Sequence, residues 1–221
     1  QQELLPDELV ICDDGSTDRT LEIAEEYAGR APFSVKIICN EERLGYADNF
    51  LKAASLCSSE WIAFCDQDDV WLKTKLSKVS HAIENNPDLL LVSHPAQLTD
   101  QHLNLSKEIV WPAKEARHAP FSTNPWIGGM GCGQVFHSSL VKDIPFTRRF
   151  AVPGREGHKS PHDYWIGRLA CIMGPTYSLS QPLVLRRRHD NSVTNGRKPQ
   201  TSTRMRLTAR HSVQERLFKY A

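Results

Sequence analysis

Four short apolar runs set the frame for this chain: ELVIC (8–12), VKIIC (35–39), WIAFC (61–65) and LLLVS (89–93). Each has the length of a buried strand and is bounded by turn-forming residues. Helical apolar spacing fills the intervals between them. Ser16 or Thr17 can cap a helix that runs to Tyr27, with Leu21, Ile23 and Ala24 on its apolar face. A second helix over 48–57 turns Phe50, Leu51, Ala54 and Leu56 inward, and a third over 72–85 stops at Asn86-Pro87. Strand and helix in alternation predict an α/β sandwich around a mostly parallel central sheet.

In such a sheet, ligands collect at the carboxyl ends of the strands. Both acidic clusters of the first half fall there. Asp13 and Asp14 follow the first run, and Asp66, Asp68 and Asp69 follow the third, in WIAFCDQDDVWL. Like charges this close repel, and apolar neighbours raise the cost of ionising them. A solvated turn would tolerate the cluster. A divalent cation accounts for it more economically, and the strand-end placement favours the cation.

The second half is less regular. WIGGMGCG (126–133) is glycine-rich and precedes a short apolar stretch, 134–136. Residues 148–161 are polar and read as a loop. HDYWIGRLACIM (162–173) has helical apolar spacing with Asp163 at its start, and PLVLRRR (182–188) reads as a last strand, followed by His189. No apolar run approaches the roughly 18 residues of a membrane-spanning helix. Six cysteines are scattered with no CxxC pair, which disfavours a zinc knuckle and suits reduced thiols in a reducing cytosol. From Arg186 onward ten Lys or Arg face two acids, so the rest of the chain is net acidic. That basic tail suits phosphates, an anionic membrane surface or another protein, and equally a solvated helix. Over 201–220 its apolar positions Met205, Leu207, Val213, Leu217 and Phe218 fit either weak peripheral membrane contact or packing against protein.

Six pieces, ELVICDDGSTDRT, NEERLGYADNF, WIAFCDQDDVW, GMGCGQVF, HDYWI and PLVLRRRHDNSVTNG, resemble in order and spacing the family 2 glycosyltransferases. These are inverting enzymes with the GT-A fold, a Rossmann-like three-layer sandwich, and the likeness is greatest to bacterial rhamnosyltransferase-like members. It implies a GT-A-like domain over 1–196 and a basic helical extension over 197–221. Such proteins usually begin with a strand ending in a Pro-Thr-Tyr-Asn-like turn. Here QQELLPDELVICDD leads straight into a central-type strand, so the domain is expected to be N-terminally incomplete.

The resemblance also implies roles. Asp14, with Asp13, accepts the imide proton of uracil or thymine, and Arg43 lies near the base or ribose. Asp66 lies nearer the ribose. Asp68 binds Mg²⁺ or Mn²⁺ bridging the diphosphate, Asp69 supports it, and His189 completes the metal shell or touches the diphosphate. Asp163 is the catalytic base, although an aspartate at a helix start is commonly just a cap. Tyr164 and Trp165 stack on sugar, and Gly131 and Cys132 let backbone approach the donor sugar or acceptor.

The function implied is transfer of a sugar, with inversion, from a dTDP- or UDP-sugar to a hydroxyl of a glycan or lipid-linked acceptor. dTDP-rhamnose is the first candidate donor. The setting implied is cell-surface polysaccharide synthesis, in the cytoplasm or at the inner face of the membrane, with no nucleic-acid partner. A haloacid-dehalogenase-type phosphatase also carries DxDx[TV] after an apolar strand, but its motif normally sits on the first strand with further acids downstream. The nearer alternatives are a nucleotidyltransferase and a fragment of the fold without turnover.

Overall fold

The computed structural model describes residues 2–123, 130–152 and 155–188. Its strands are β1 (Glu8–Asp13), β2 (Ser34–Cys39), β3 (Trp61–Ala63), β4 (Val70–Trp71), β5 (Leu91–Ser93), β6 (Ala96–Thr99), β7 (Leu105–Val110), β8 (Ala116–His118), β9 (Gln134–His137), β10 (Ala151–Val152), β11 (Arg155–Lys159), β12 (Thr176–Ser178) and β13 (Val184–Arg187). Its helices are α1 (Thr20–Ala28), α2 (Tyr46–Ser55), α3 (Lys75–Glu84), α4 (Ser139–Lys142) and α5 (His162–Met173). The described residues up to Arg187 form one compact unit. The tail expected as a basic helix over 197–221 lies outside the described residues.

The α/β class is the expected one, but the strand directions are more mixed than the sequence implies. β1 pairs with β2 in parallel, and a five-stranded sheet runs in the order β3-β9-β5-β12-β8. Within it β5 and β12 are parallel, whereas β9 is antiparallel to both β3 and β5. The reason lies in where β9 starts. It leaves a tight turn at Gly131–Gly133, beside the carboxyl ends of β3 and β5, and from there can only run back along them. A four-stranded sheet, β4-β13-β6-β7, flanks the same end.

α2, α4 and α5 cover one face of the five-stranded sheet. Leu51, Ile62, Phe64, Phe136, Leu140, Ile166 and Ala170 are buried in one cluster between them. On the other face α3 contributes Val79 and Ala82 to a second cluster with Leu89, Val92, Val135 and Leu183. The expected cap of α1 by Ser16 or Thr17 does not form: the N-cap position is Arg19, which makes no side-chain cap hydrogen bond. Asp18 Oδ1 takes the Thr20 amide at 3.0 Å in an Asx-type turn just before the helix, while the Ser16 amide turns back to Asp13.

One carboxylate ties the first two strands to the chain entering β3. Glu8 Oε1 accepts from the Ser58 amide (2.6 Å), the Ser58 hydroxyl (2.8 Å) and the Ser59 amide (2.9 Å), and Oε2 accepts from Lys36 Nζ (2.8 Å). Burial opposes its ionisation, but the Lys36 ammonium and the serine donors outweigh that and hold it down to about 2. A depressed carboxyl adds stability above its ordinary range and loses it as pH falls toward the folded value. Glu8→Gln is therefore expected to cost roughly 1–3 kcal/mol at pH 7 and much less near pH 3, measured by urea unfolding. An equal penalty at both pH values would rule out the ionic origin.

Candidate functional site

The site begins where β3 ends. After Ala63 the chain passes through Asp66, Asp68 and Asp69 in a turn closed by the Asp69 amide on the Asp66 carbonyl, 3.3 Å. It then enters β4, which pairs antiparallel with β13, Val70 opposite Leu185 and Trp71 opposite Val184. That pairing carries the basic strand to the acids: the Arg187 amide donates to Asp69 Oδ1 at 3.1 Å. The Gly131–Gly133 turn closes the other side. Cys132 is fully buried, and its Sγ and one carboxylate oxygen each of Asp66 and Asp69 all lie within 4.8 Å of one another.

The turn demands its glycines. A Cβ on Gly133 would stand 2.4 Å from the His94 carbonyl oxygen, and one on Gly131 would stand 2.9 Å from His162 Nε2. A fixed backbone atom cannot yield to the first contact, so the glycine pattern of 131–133 is a packing requirement here.

The electrostatics follow from burial. Asp66 is pushed up to about 7 by burial and then by the charges of Asp69, Asp68 and Asp163, with Arg186 opposing. Asp69 is raised by burial, against the Arg187 amide and the Cys132 thiol. Its Oδ2 is buried without a hydrogen-bond partner among the described residues. Carboxylates pressed together at this cost, one with a buried unsatisfied oxygen, suit a hard divalent cation. The donor set fits such an ion, with the thiol as an unusual neighbour.

Asp163 borders the Gly131–Gly133 turn: a Cβ on Gly131 would stand 3.6 Å from the Asp163 Cβ. It is raised by burial, against the amides of Tyr164 and Gly131. It does not cap α5. The N-cap position is Pro161, and the Asp163 carboxylate accepts from the adjacent Tyr164 amide at 2.8 Å. Gln134 Nε2 holds the Asp163 carbonyl at 3.1 Å. His162, 6% exposed, stacks on Phe50 at 4.3 Å with neither ring nitrogen partnered among the described residues, and burial pushes it down to about 3, so it is neutral.

A second cluster stands at the ends of β1 and β2. Asp13 Oδ2 accepts from the Gly15 and Ser16 amides at 3.0 and 2.9 Å. Asp14 accepts from the Leu44 and Gly45 amides, both at 2.8 Å, and from Asn40 Nδ2 at 2.9 Å. Arg43 reaches the Asp14 and Gly15 carbonyls at 3.1 and 3.2 Å. Both carboxyls are lowered, Asp13 chiefly by hydrogen bonds from Ser16 and Asp14 chiefly by the Leu44 amide. They thus fasten two loops together as well as facing the strand ends.

Several expected residues therefore converge: Asp66, Asp69, Gly131, Cys132 and Asp163. Asp68 is half-buried beside them but outside the trio of Asp66, Asp69 and Cys132. Trp165 requires correction. It is 3% exposed and packs on Phe150 at 4.7 Å within the core, so it offers no ring face to a sugar, whereas Tyr164 remains half-buried. His189 lies outside the described residues. Sequence reasoning missed Lys75 and read Arg186 only as one of three arginines able to pair with phosphate; its charge acts on Asp66, Asp69 and Asp163.

Residues 1–144 match the family model Glycosyl transferase family 2. The chain is 25% identical to the dTDP-rhamnosyl transferase RfbG of Shigella flexneri over 192 residues, 83% of this chain and 63% of that protein. Among solved structures it is similar to S. aureus TarS 1–349 in complex with UDP-GlcNAc, with a TM-score of 0.63 and 16% identity over 86% of this chain and 53% of that one. It is also similar to the mannosyltransferase PcManGT from Pyrobaculum calidifontis in complex with GDP-Man and Mn²⁺, with a TM-score of 0.54 and 16% identity over 82% of this chain and 48% of that one. The chain spans about half the length of the curated relatives it matches. With the GT-A architecture on one side and a family match over more than half of its residues on the other, the chain belongs to glycosyl transferase family 2.

Proposed function

We propose that this protein moves a sugar from a nucleotide-sugar, a dTDP- or UDP-sugar, to a hydroxyl of a glycan or lipid-linked acceptor, with inversion. The observation that carries the reading is the Gly131–Gly133 turn, with Cys132 against the β3-end carboxylates Asp66 and Asp69 and Asp163 beside Gly131. The names of its relatives support the donor class: RfbG is a dTDP-rhamnosyl transferase, and TarS was solved with UDP-GlcNAc.

Asp66 and Asp69, with Asp68 beside them, would hold Mg²⁺ or Mn²⁺, which supplies positive charge to the diphosphate as it departs. The Mn²⁺ in the mannosyltransferase complex is in keeping with that choice. Asp163 takes the proton of the acceptor hydroxyl as its oxygen bonds to the anomeric carbon and the bond from that carbon to the phosphate oxygen breaks. Partial burial raises its basicity, which suits a general base. Asp13, Asp14 and Arg43 would receive the base and ribose, and Arg186, whose charge acts on Asp66 and Asp69, would meet the phosphates. The acceptor reading would put the reaction in polysaccharide synthesis, in the cytoplasm or at the inner face of a membrane. No described helix is long and apolar enough to cross one.

The test is calorimetry of this chain with UDP-GlcNAc, UDP-glucose and dTDP-rhamnose, each with and without Mn²⁺. Binding of at least one donor that requires the cation is expected. Heat from none of them, or heat indifferent to Mn²⁺, would sink the assignment.

A further inference from the structure

The least expected side chain in the molecule is Lys75. It is 0% exposed and is the first residue of α3. Taking an ammonium out of water costs several kcal/mol even after relaxation, and the first turn of a helix is the unfavourable end of its dipole for a cation. A methionine would fill the same volume without either cost. Something specific must therefore hold the charge. Nζ donates to the Cys132 carbonyl at 2.8 Å and sits 3.8 Å over the Trp71 ring. Burial pushes it down to about 8, with the charges of Asp66 and Asp69 among those opposing that fall.

The carbonyl it grips is the middle of the turn on which the site depends. On one side of Cys132, the Gly131 amide bonds the Asp163 carboxylate. On the other, the Gly133 carbonyl accepts from the His94 amide at 3.0 Å. The Cys132 side chain lies against Asp66 and Asp69. We propose that Lys75 is a positioning residue for the transfer reaction: by holding the Cys132 carbonyl it fixes the Gly131–Gly133 turn, and so the spacing between Asp163 and the carboxylates after β3. The proposal rests on the function given above. It adds a residue that touches neither donor nor acceptor.

Its test compares wild type with Lys75→Met, which keeps the volume, and Lys75→Gln, which keeps a donor but no charge. Hydrogen exchange of a peptide covering 130–134 is read beside steady-state turnover of UDP-glucose, UDP-GlcNAc and dTDP-rhamnose with Mn²⁺. In Lys75→Met the Gly131 and Gly133 amides should exchange about tenfold faster or more, as a locally loosened turn requires. Turnover should fall by about a hundredfold with little change in donor KM, the scale of a 1 Å misplacement of reacting groups. Lys75→Gln should fall between, and it decides the matter if the methionine variant does not fold. Unchanged exchange in the folded variants overturns the proposal. Faster exchange with unchanged kcat overturns it too, by leaving Lys75 a purely structural role. If wild type turns over none of the donors, the function proposed above fails, while the exchange comparison still shows whether Lys75 fixes the turn.

Discussion

Asp163→Asn is expected to bind donor and Mn²⁺ almost as wild type does and to lose transfer by about a hundred- to ten-thousand-fold, the usual worth of a general base. A carboxamide has the same shape and keeps one acceptor oxygen for the Tyr164 amide, but it cannot take a hydroxyl proton. Since Pro161 occupies the N-cap of α5, the substitution leaves the helix start alone. The measurement is single-turnover transfer beside donor calorimetry. Transfer within a few-fold of wild type would leave the site without its proposed base.

Asp66→Asn should move two readouts in opposite directions. Cation-dependent donor binding should weaken by at least about a hundredfold, since a direct ligand matters at least as much as the groups behind it. The metal-free protein, in contrast, should become more stable at pH 8 by roughly 2–4 kcal/mol, because the variant no longer buries a charge among three others. The sign follows from the direction of the shift. A carboxyl near 7 in the folded state and near its ordinary value when unfolded keeps its proton longer when folded. It therefore takes away stability as pH climbs from about 4 to about 7. Wild type should melt at falling temperature between pH 5 and pH 8, and Asp66→Asn should flatten that slope. A variant less stable at pH 8 with an unchanged slope would show that Asp66 is not held under strain.

The sequence announces what is local. The runs before Asp13 and Asp66 are β1 and β3, the strand-end acids stand where alternation puts them, and the helices fall within a few residues of their apolar spacing. What depends on distant partners is harder to read. β7, LSKEIV, is an edge strand mostly open to solvent, so burial imposes no period on it. The reversal of β9 depends on where its turn docks. Trp165 is the instructive miss. With Ile166, Leu169 and Ala170 it forms the apolar stripe of α5, and that spacing should have outweighed the general affinity of aromatic rings for sugars. For Lys75 no comparable signal exists, because a lysine opening a polar helix looks like surface until the chain folds over it.

The pairing of β4 with β13 also bears on folding, because it joins distant parts of the chain. Asp69 and Arg187, bonded in the finished site, stand 118 residues apart in sequence. Contacts that distant form late, after the loop between them has been closed at an entropic cost. β1, β2 and the helices of the first half can assemble from neighbouring sequence, but the carboxylates lack their β13 partner until that strand pairs with β4. Binding at this site therefore stabilises only the completed molecule. A rise in melting temperature with cation and nucleotide would report on molecules in which β4 and β13 are already paired.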